Sequence, residues 1–326
     1  MPGADEPTID RRVPDFFIVG HPKSGTTALY LMLRQHPQIF MPLKETRFFA
    51  PEQRLRLNRL GPDRVPRTLD SYLSLFDSAT PEQRVGEASP EYLMSAGAAG
   101  RIAEVQPDAR IIAVLREPAE FLRSFHLQSL HNYIETEKDF GKAIRLEDDR
   151  RRGKHVPRLS QSPEMLLYSN LVRYTEQVRR YREVFGAENV MVLAYEDFRR
   201  DNDEAVRSVL RFLGVDDAVA LESVRTNTAP AIRFLALKQI ERVVLAAHNN
   251  PNATSPLLRA VNTVIPPRLQ SDAFSRLWRR VVYTAPQRPE EQFMRELRRR
   301  LKPEVVAISE YLDRDLVALW GYKETD

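Results

Sequence analysis

The sequence predicts an α/β protein: a parallel β-sheet flanked by helices, followed by a C-terminal helical extension. Three observations carry that expectation. An apolar run, Phe16-Phe17-Ile18-Val19, breaks into a Pro/Gly/Ser turn over residues 20–25 and then into helix-forming residues from Thr26. Strand-type apolar runs alternate with helical periodicity as far as residue 214, the order that builds a parallel sheet covered on both faces. From residue 230 to 285 the strand signals stop and the helical ones continue.

Taken in order, residues 1–14 are polar, carry three prolines and are expected to form a flexible arm. Residues 15–326 are expected to form a single domain. Within it, 15–214 is the α/β core and 215–326 a helical extension with a closing helix. In the first helix Leu29, Leu31, Met32 and Leu33 fall mostly inward, and His36-Pro37 ends it. Residues 38–50 read as a loop or short edge segment, with Lys44, Glu45 and Arg47 beside two phenylalanines as a cleft wall. A short helix is expected over 69–76 and a strand over 85–89. The run from Arg110 to Arg116 is a clear strand ending in arginine, and Glu117-Pro118 opens a helix over about 119–132. In open α/β sheets ligands bind at the carboxyl rim of the strands, which places Arg116 near the turn at Lys23. The charged stretch 139–160 reads as a mobile surface loop. Residues 162–185 read as one long helix, 189–194 as the fourth strand, and a further helix ends at Leu213-Gly214. A last helix is expected over 295–312.

Composition bounds the chemistry. Among 326 residues, 42% are hydrophobic and 29% charged, which suits a globular fold with ample core. With 49 basic and 45 acidic residues the net charge is only +4, too small an excess for a nucleic-acid-binding surface. No run approaches the ~18 apolar residues of a membrane span, and residues 1–12 lack an apolar signal core. The absence of cysteine excludes disulfides and thiolate metal sites. Six scattered histidines without H-E-x-x-H spacing leave no expectation of a metal. The cytoplasm is the expected compartment.

A strand, a glycine turn and a helix N-terminus together make an anion site, because the first-turn N–H groups lack intrahelical partners and the helix dipole adds positive charge there. The spacing Gly20-x4-Gly25 is P-loop-like, but Thr26 follows Gly25 where a nucleotide P-loop has lysine; here the lysine comes earlier, at Lys23. The pattern Pro22-Lys23-Ser24-Gly25-Thr26-Thr27 after a strand resembles the 5′-phosphosulfate loop of sulfotransferases that use 3′-phosphoadenosine 5′-phosphosulfate. Arg116 with Ser124 eight residues on resembles the 3′-phosphate site of that family. Residues 42–49, PLKETRFF, are similar to the K-E-P-x-F-F segment of carbohydrate sulfotransferases, and residues 86–93, GEASPEYL, to their E-K-[ST]-P-x-Y segment. Two positions depart from the pattern: Thr46 replaces proline, and Ala88 stands where the heparan-type enzymes have lysine.

The resemblance implies sulfuryl transfer from 3′-phosphoadenosine 5′-phosphosulfate to a hydroxyl of a carbohydrate, glycolipid or other small molecule. It implies Lys23 at the bridging oxygen of the departing nucleotide, with Thr26, Thr27 and the backbone of Ser24 and Gly25 on the 5′-phosphate. Arg116 and Ser124 would hold the 3′-phosphate, and Glu45 would act as the base, with His126 and His131 as rivals. A P-loop nucleotide kinase or other NTPase is the alternative; against it stand the missing lysine after Gly25 and the lack of a strand-terminal magnesium aspartate. A nucleotide-binding protein without catalysis is a third class. Within the extension, Phe274, Leu277, Trp278, Val281 and Val282 share a helical face whose other side carries Arg276, Arg279 and Arg280. That face either packs on the body or lies on an anionic membrane as a peripheral contact. Residues 231–247 are apolar over a wider arc and are expected to be more deeply buried.

Overall fold

The computed structural model describes residues 11–54, 66–132, 134–157, 163–224, 231–232, 280–284 and 289–323. These fall into two compact units. The first takes the described residues of Met1–Pro51, Val65–Arg116 and Thr175–Thr226; the second takes those of Glu52–Arg64, Glu117–Tyr174 and Asn227–Asp326.

The first unit holds a five-stranded sheet. Its members are β1 (Phe16–Gly20), β2 (Ile39–Phe40), β3 (Arg84–Ala88), β4 (Arg110–Leu115) and β5 (Val190–Ala194), in the order β2-β3-β1-β4-β5. All pairings are parallel, and β1 sits centrally with Phe16 opposite both Gly86 of β3 and Arg110 of β4. Strands covered on both faces must be apolar throughout, and all five residues of β1 are buried. Its helices include α1 (Thr26–Leu33), α3 (Leu69–Leu73), α4 (Ala98–Ala103), α10 (Tyr195–Arg200) and α11 (Asn202–Leu213); the short α2 (Pro51–Arg54) begins on its last residue before Glu52 opens a segment of the second unit. On α11, Ala205, Val206, Val209, Leu210 and Leu213 form one buried face against Ala28, Leu29, Met32 and Leu33 of α1. Gly214, at φ +69, closes α11. The chain crosses from β3, on one side of β1, to β4 on the other. Ligand crevices in open sheets form where strand order reverses in this way, at the carboxyl ends. His21, Ser89, Arg116 and Tyr195 are the residues that leave those ends.

The second unit is built from α5 (Pro118–His131), α6 (Phe140–Arg145), α7 (Glu147–Arg151), α8 (Tyr168–Leu171), α12 (Glu291–Tyr311) and α13 (Leu316–Leu319). From Thr175 onward, α9 (Tyr174–Phe185) belongs to the first unit. Glu117 caps α5 by accepting hydrogen bonds from the N–H groups of Ala119 and Glu120, and Tyr322 donates its hydroxyl to the same carboxylate at 2.5 Å.

Four expectations need correction. The stretch 139–160 is not a mobile loop: its described part forms α6 and α7. Asp139 caps α6, and the Arg150–Glu135 pair, at 2.8 Å, is almost fully buried. Glu147 and Arg150 in that stretch are buried, Arg150 against Glu135, while Lys142, Arg152 and Lys154 stay exposed. The single long helix over 162–185 is instead a 3₁₀ turn (Pro163–Leu166), α8 and α9. The chain leaves helical geometry at Leu167, so that Tyr168 and Ser169 direct their hydroxyls to Glu135 and Glu147. The extension contains strand after all, a two-residue antiparallel pair Ala231–Ile232 with Tyr283–Thr284, too short to leave a periodicity. The last residues of the supposed arm are tied down, Arg11 donating to the Asp70 carbonyl and Arg12 to those of Pro81 and Gln83. Most of the helices expected over 231–247 and 271–283 lie outside the described residues.

Candidate active site

The turn after β1 is fixed by glycine at two points. At Gly20, φ +144, a Cβ would come within 2.5 Å of the Val114 carbonyl oxygen of β4, so no other residue allows this strand spacing. Gly25, φ +82, precedes α1 and lets the chain turn into the helix. Between them Lys23 is itself left-handed at φ 67, a conformation that costs a residue with a Cβ on the order of 1 kcal/mol. His21 anchors the start of the turn, its N–H donating to the Val114 carbonyl and its buried ring paired with Gln177 Oε1 at 2.9 Å.

Gly25, the residue that opens α1, has no side chain with which to cap it, so the first-turn N–H groups are not taken up by their own cap. Ser24 is fully buried and its Oγ has no hydrogen-bond partner among the described residues. A buried hydroxyl left in that state is costly unless a ligand completes it. Thr26 is buried and Thr27 exposed. These are the donors a phosphate oxygen requires, gathered at one helix N-terminus.

Arg116 is brought to the turn as expected: its Nη1 donates to the Lys23 carbonyl at 2.8 Å. Its guanidinium also lies over the Tyr195 ring, 5.0 Å from the centroid. Tyr195 was missed by the sequence reading; it forms the wall against which Gly25 packs, where a Cβ would approach its Cδ2 to 2.9 Å. Burial lowers the Lys23 pKa, and Arg116 and Lys44 lower it further, with Glu45 opposing them. The site is thus an excess of positive charge held partly out of water. Ser124 is buried on α5 in the second unit.

Glu45 belongs to a loop bearing two left-handed residues, Glu45 at φ 64 and Arg47 at φ 50. Its Oε1 pairs with Lys44 and its Oε2 with Arg47 at 2.7 Å, and Arg47 also reaches Glu91 at 2.8 Å. Burial pushes the Glu45 carboxyl up, but Lys44, Arg47 and Lys23 outweigh it and hold the group below its usual range. Both rival histidines lie on α5. His126 is buried with Nε2–H donating to the Glu137 carbonyl at 2.8 Å, and His131 stacks on Tyr283.

Beneath that loop lies a polar cluster that sequence reasoning missed. Glu87, in β3, is fully buried; it accepts from Ser89 Oγ at 2.5 Å and from the Tyr72 hydroxyl at 3.4 Å. The signal was present, since a carboxylate two residues after Val85 inside a strand run demands a partner.

Residues 14–218 match the family described as "Sulfotransferase family". The human bifunctional heparan sulfate N-deacetylase/N-sulfotransferase 3 is 28% identical over 216 residues, covering 64% of this chain and 23% of its own length. Mouse carbohydrate sulfotransferase 15 is 25% identical over 269 residues, covering 68% of this chain and 47% of its own. The chain therefore spans about a quarter to a half of the length of these relatives. A sulfotransferase of known structure from Alicyclobacillus acidocaldarius is 28% identical, with a TM-score of 0.62 over 95% of this chain and 99% of that one. These comparisons give the kinase alternative no support. With the match running over more than half of its 326 residues and taking in the lysine turn and Arg116, the chain belongs to the sulfotransferase family.

Proposed function

We propose that this chain transfers a sulfuryl group from 3′-phosphoadenosine 5′-phosphosulfate to a hydroxyl of a carbohydrate, glycolipid or other small acceptor. The observation that carries the reading is the buried Ser24 hydroxyl, without a hydrogen-bond partner among the described residues, beside the start of α1, which Gly25 leaves without a side-chain cap, with Arg116 reaching the Lys23 carbonyl at the same turn. The backbone of Ser24 and Gly25 with Thr26 and Thr27 holds the 5′-phosphate, and Arg116 holds the 3′-phosphate that distinguishes this donor from ATP. Lys23 meets the negative charge that builds on the bridging phosphate oxygen, so its contribution is larger in the transition state than in the ground state. Glu45 takes the acceptor's proton as the acceptor oxygen bonds to sulfur and the bond from sulfur to the bridging oxygen breaks. The cations around it keep it ionised at neutral pH, ready to accept.

The test is binding and turnover together. The protein should bind adenosine 3′,5′-bisphosphate and ignore ATP by calorimetry. With labelled donor it should sulfate a member of a panel of saccharides, desulfated glycosaminoglycan fragments and glycolipids. Lys23→Ala should reduce turnover more than it weakens bisphosphate binding. Equal affinity for ATP and the bisphosphate would remove the reading.

A further inference from the structure

The loop that carries Glu45 is fastened to the end of β3 at three points. Glu45 N–H donates to the Ala88 carbonyl at 2.7 Å, and Arg47 N–H donates to Ser89 Oγ at 3.1 Å. The Phe49 N–H donates to the Tyr92 hydroxyl at 3.2 Å, which also lies 3.3 Å from Thr46 Oγ1. Ser89 is the link that continues inward, because the hydroxyl that accepts from Arg47 donates its own hydrogen to Glu87 Oε1. With two consecutive-but-one residues in left-handed geometry, the loop keeps this shape only while those fastenings hold it.

We propose that Glu87 is a positioning residue for Glu45: through Ser89, its carboxylate sets the backbone of residues 45–47 and so the place of the base. The inference rests on the sulfotransferase reading for what Glu45 does, and on geometry alone for how Glu87 holds it. As a carboxylate, Glu87 accepts the hydrogens of both Ser89 and Tyr72. Once protonated, it carries an O–H of its own among these hydroxyl donors and holds Ser89 as a neutral acceptor instead of a charged one, which loosens the link.

Protonation is within ordinary reach. Burial pushes the Glu87 carboxyl up to about 7, against the hydrogen bonds from Ser89, Tyr92, Thr46 and Tyr72. The groups facing it are named by these contacts. From α3 comes Tyr72, and from the segment after β3 come Ser89 and Tyr92. Thr46 comes from the loop itself, and Phe17 is its register partner on β1. Both tyrosines are raised by burial and stay protonated, so Glu87 is the group of this cluster that changes charge near neutrality. Glu45 titrates below its usual range and is separate from this event.

Glu87→Gln copies the protonated state in shape and charge, and Ser89→Ala cuts the link while leaving Glu87 in place. Amide hydrogen exchange over residues 44–49, read without any ligand, should be faster at pH 6 than at pH 8 in the unmodified protein after correction for intrinsic rates. It should be uniformly fast in Glu87→Gln, and fast in Ser89→Ala as well. Turnover, with the acceptor that gives product in the panel above, should fall on the acid side of about pH 7. Glu87→Gln should show a flat profile at the low level, about tenfold to a hundredfold below the unmodified protein at pH 8. Affinity for adenosine 3′,5′-bisphosphate should not change in either variant. The proposal is overturned if exchange in the loop is independent of pH and of both substitutions, or if Glu87→Gln keeps the acid limb. If no donor binds and no acceptor is sulfated, the sulfotransferase reading fails, whereas the exchange result still decides whether Glu87 holds the loop.

Discussion

Glu87 also sets a pH dependence of stability that can be worked out in advance. Its carboxyl stands at about 7 in the folded protein against an ordinary 4.5. A carboxyl raised on folding is protonated in the native state over a window where the unfolded chain has released the proton. Its stabilisation is therefore complete below pH 4.5 and is lost as pH rises through 7. Each pH unit of difference is worth ~1.4 kcal/mol, so the whole window amounts to about 3 kcal/mol, most of it falling between pH 5 and pH 8. Urea unfolding of the unmodified protein and Glu87→Gln across that range isolates this group, because the other titrations cancel in the difference. Where the two units unfold separately, the transition of the unit holding β3 is the one compared. Glu87→Gln should gain about 2 to 3 kcal/mol relative to the unmodified protein on going from pH 5 to pH 8. Parallel stability curves would refute the reasoning, since they would mean that Glu87 holds its proton no more tightly when folded than when unfolded.

Other perturbations test other parts of the site. Arg116→Ala should cost about 2 to 5 kcal/mol of affinity for adenosine 3′,5′-bisphosphate while adenosine 5′-phosphosulfate is hardly affected; equal losses would take the 3′-phosphate away from Arg116. Gly25→Ala must keep φ +82 and place a Cβ 2.9 Å from Tyr195, so thermal unfolding should report a loss of about 1 to 3 kcal/mol together with weaker nucleotide binding. In the second unit, Arg150→Met leaves the buried Glu135 carboxylate without its cation and should destabilise by about 3 to 5 kcal/mol. Adding Glu135→Gln should recover most of that loss, and a double variant no more stable than the single one would show that the pair does not act as a unit.

The nucleotide half of the molecule was legible because its signals are local. Phe16 to Val19 can only be a covered strand, glycines at 20 and 25 bracket a turn, and Arg116 ends a strand, so the meeting of Arg116 with Lys23 followed from the carboxyl-rim rule alone. What stayed hidden depends on partners distant in the chain. Nothing near residues 139–157 announces that Arg150 is balanced by Glu135, and a run of charges read alone resembles a solvated loop. Tyr195 became part of the site only when β5 was placed beside β4, which put its ring under Arg116. Lys44 and Arg47 could be read as partners of Glu45. That both engage it, one at each oxygen, is set by the left-handed backbone at Glu45 and Arg47, which no propensity foretells.

The capping of α5 imposes an order of events on synthesis. Glu117 receives the Tyr322 hydroxyl from 205 residues downstream and has Arg298 at 3.6 Å, and without those two groups its carboxylate still receives the two backbone donors of the helix it caps but loses a hydroxyl donor and a cation. On the ribosome the first turn of α5 is therefore made long before the groups that neutralise and cover its cap exist, and the helix waits through most of elongation with that carboxylate in water. Nascent chains stalled before residue 298 should leave α5 open to proteases, and release past residue 322 should close it. The helix bearing Ser124 is thus finished among the last, although it follows Arg116 directly in the chain.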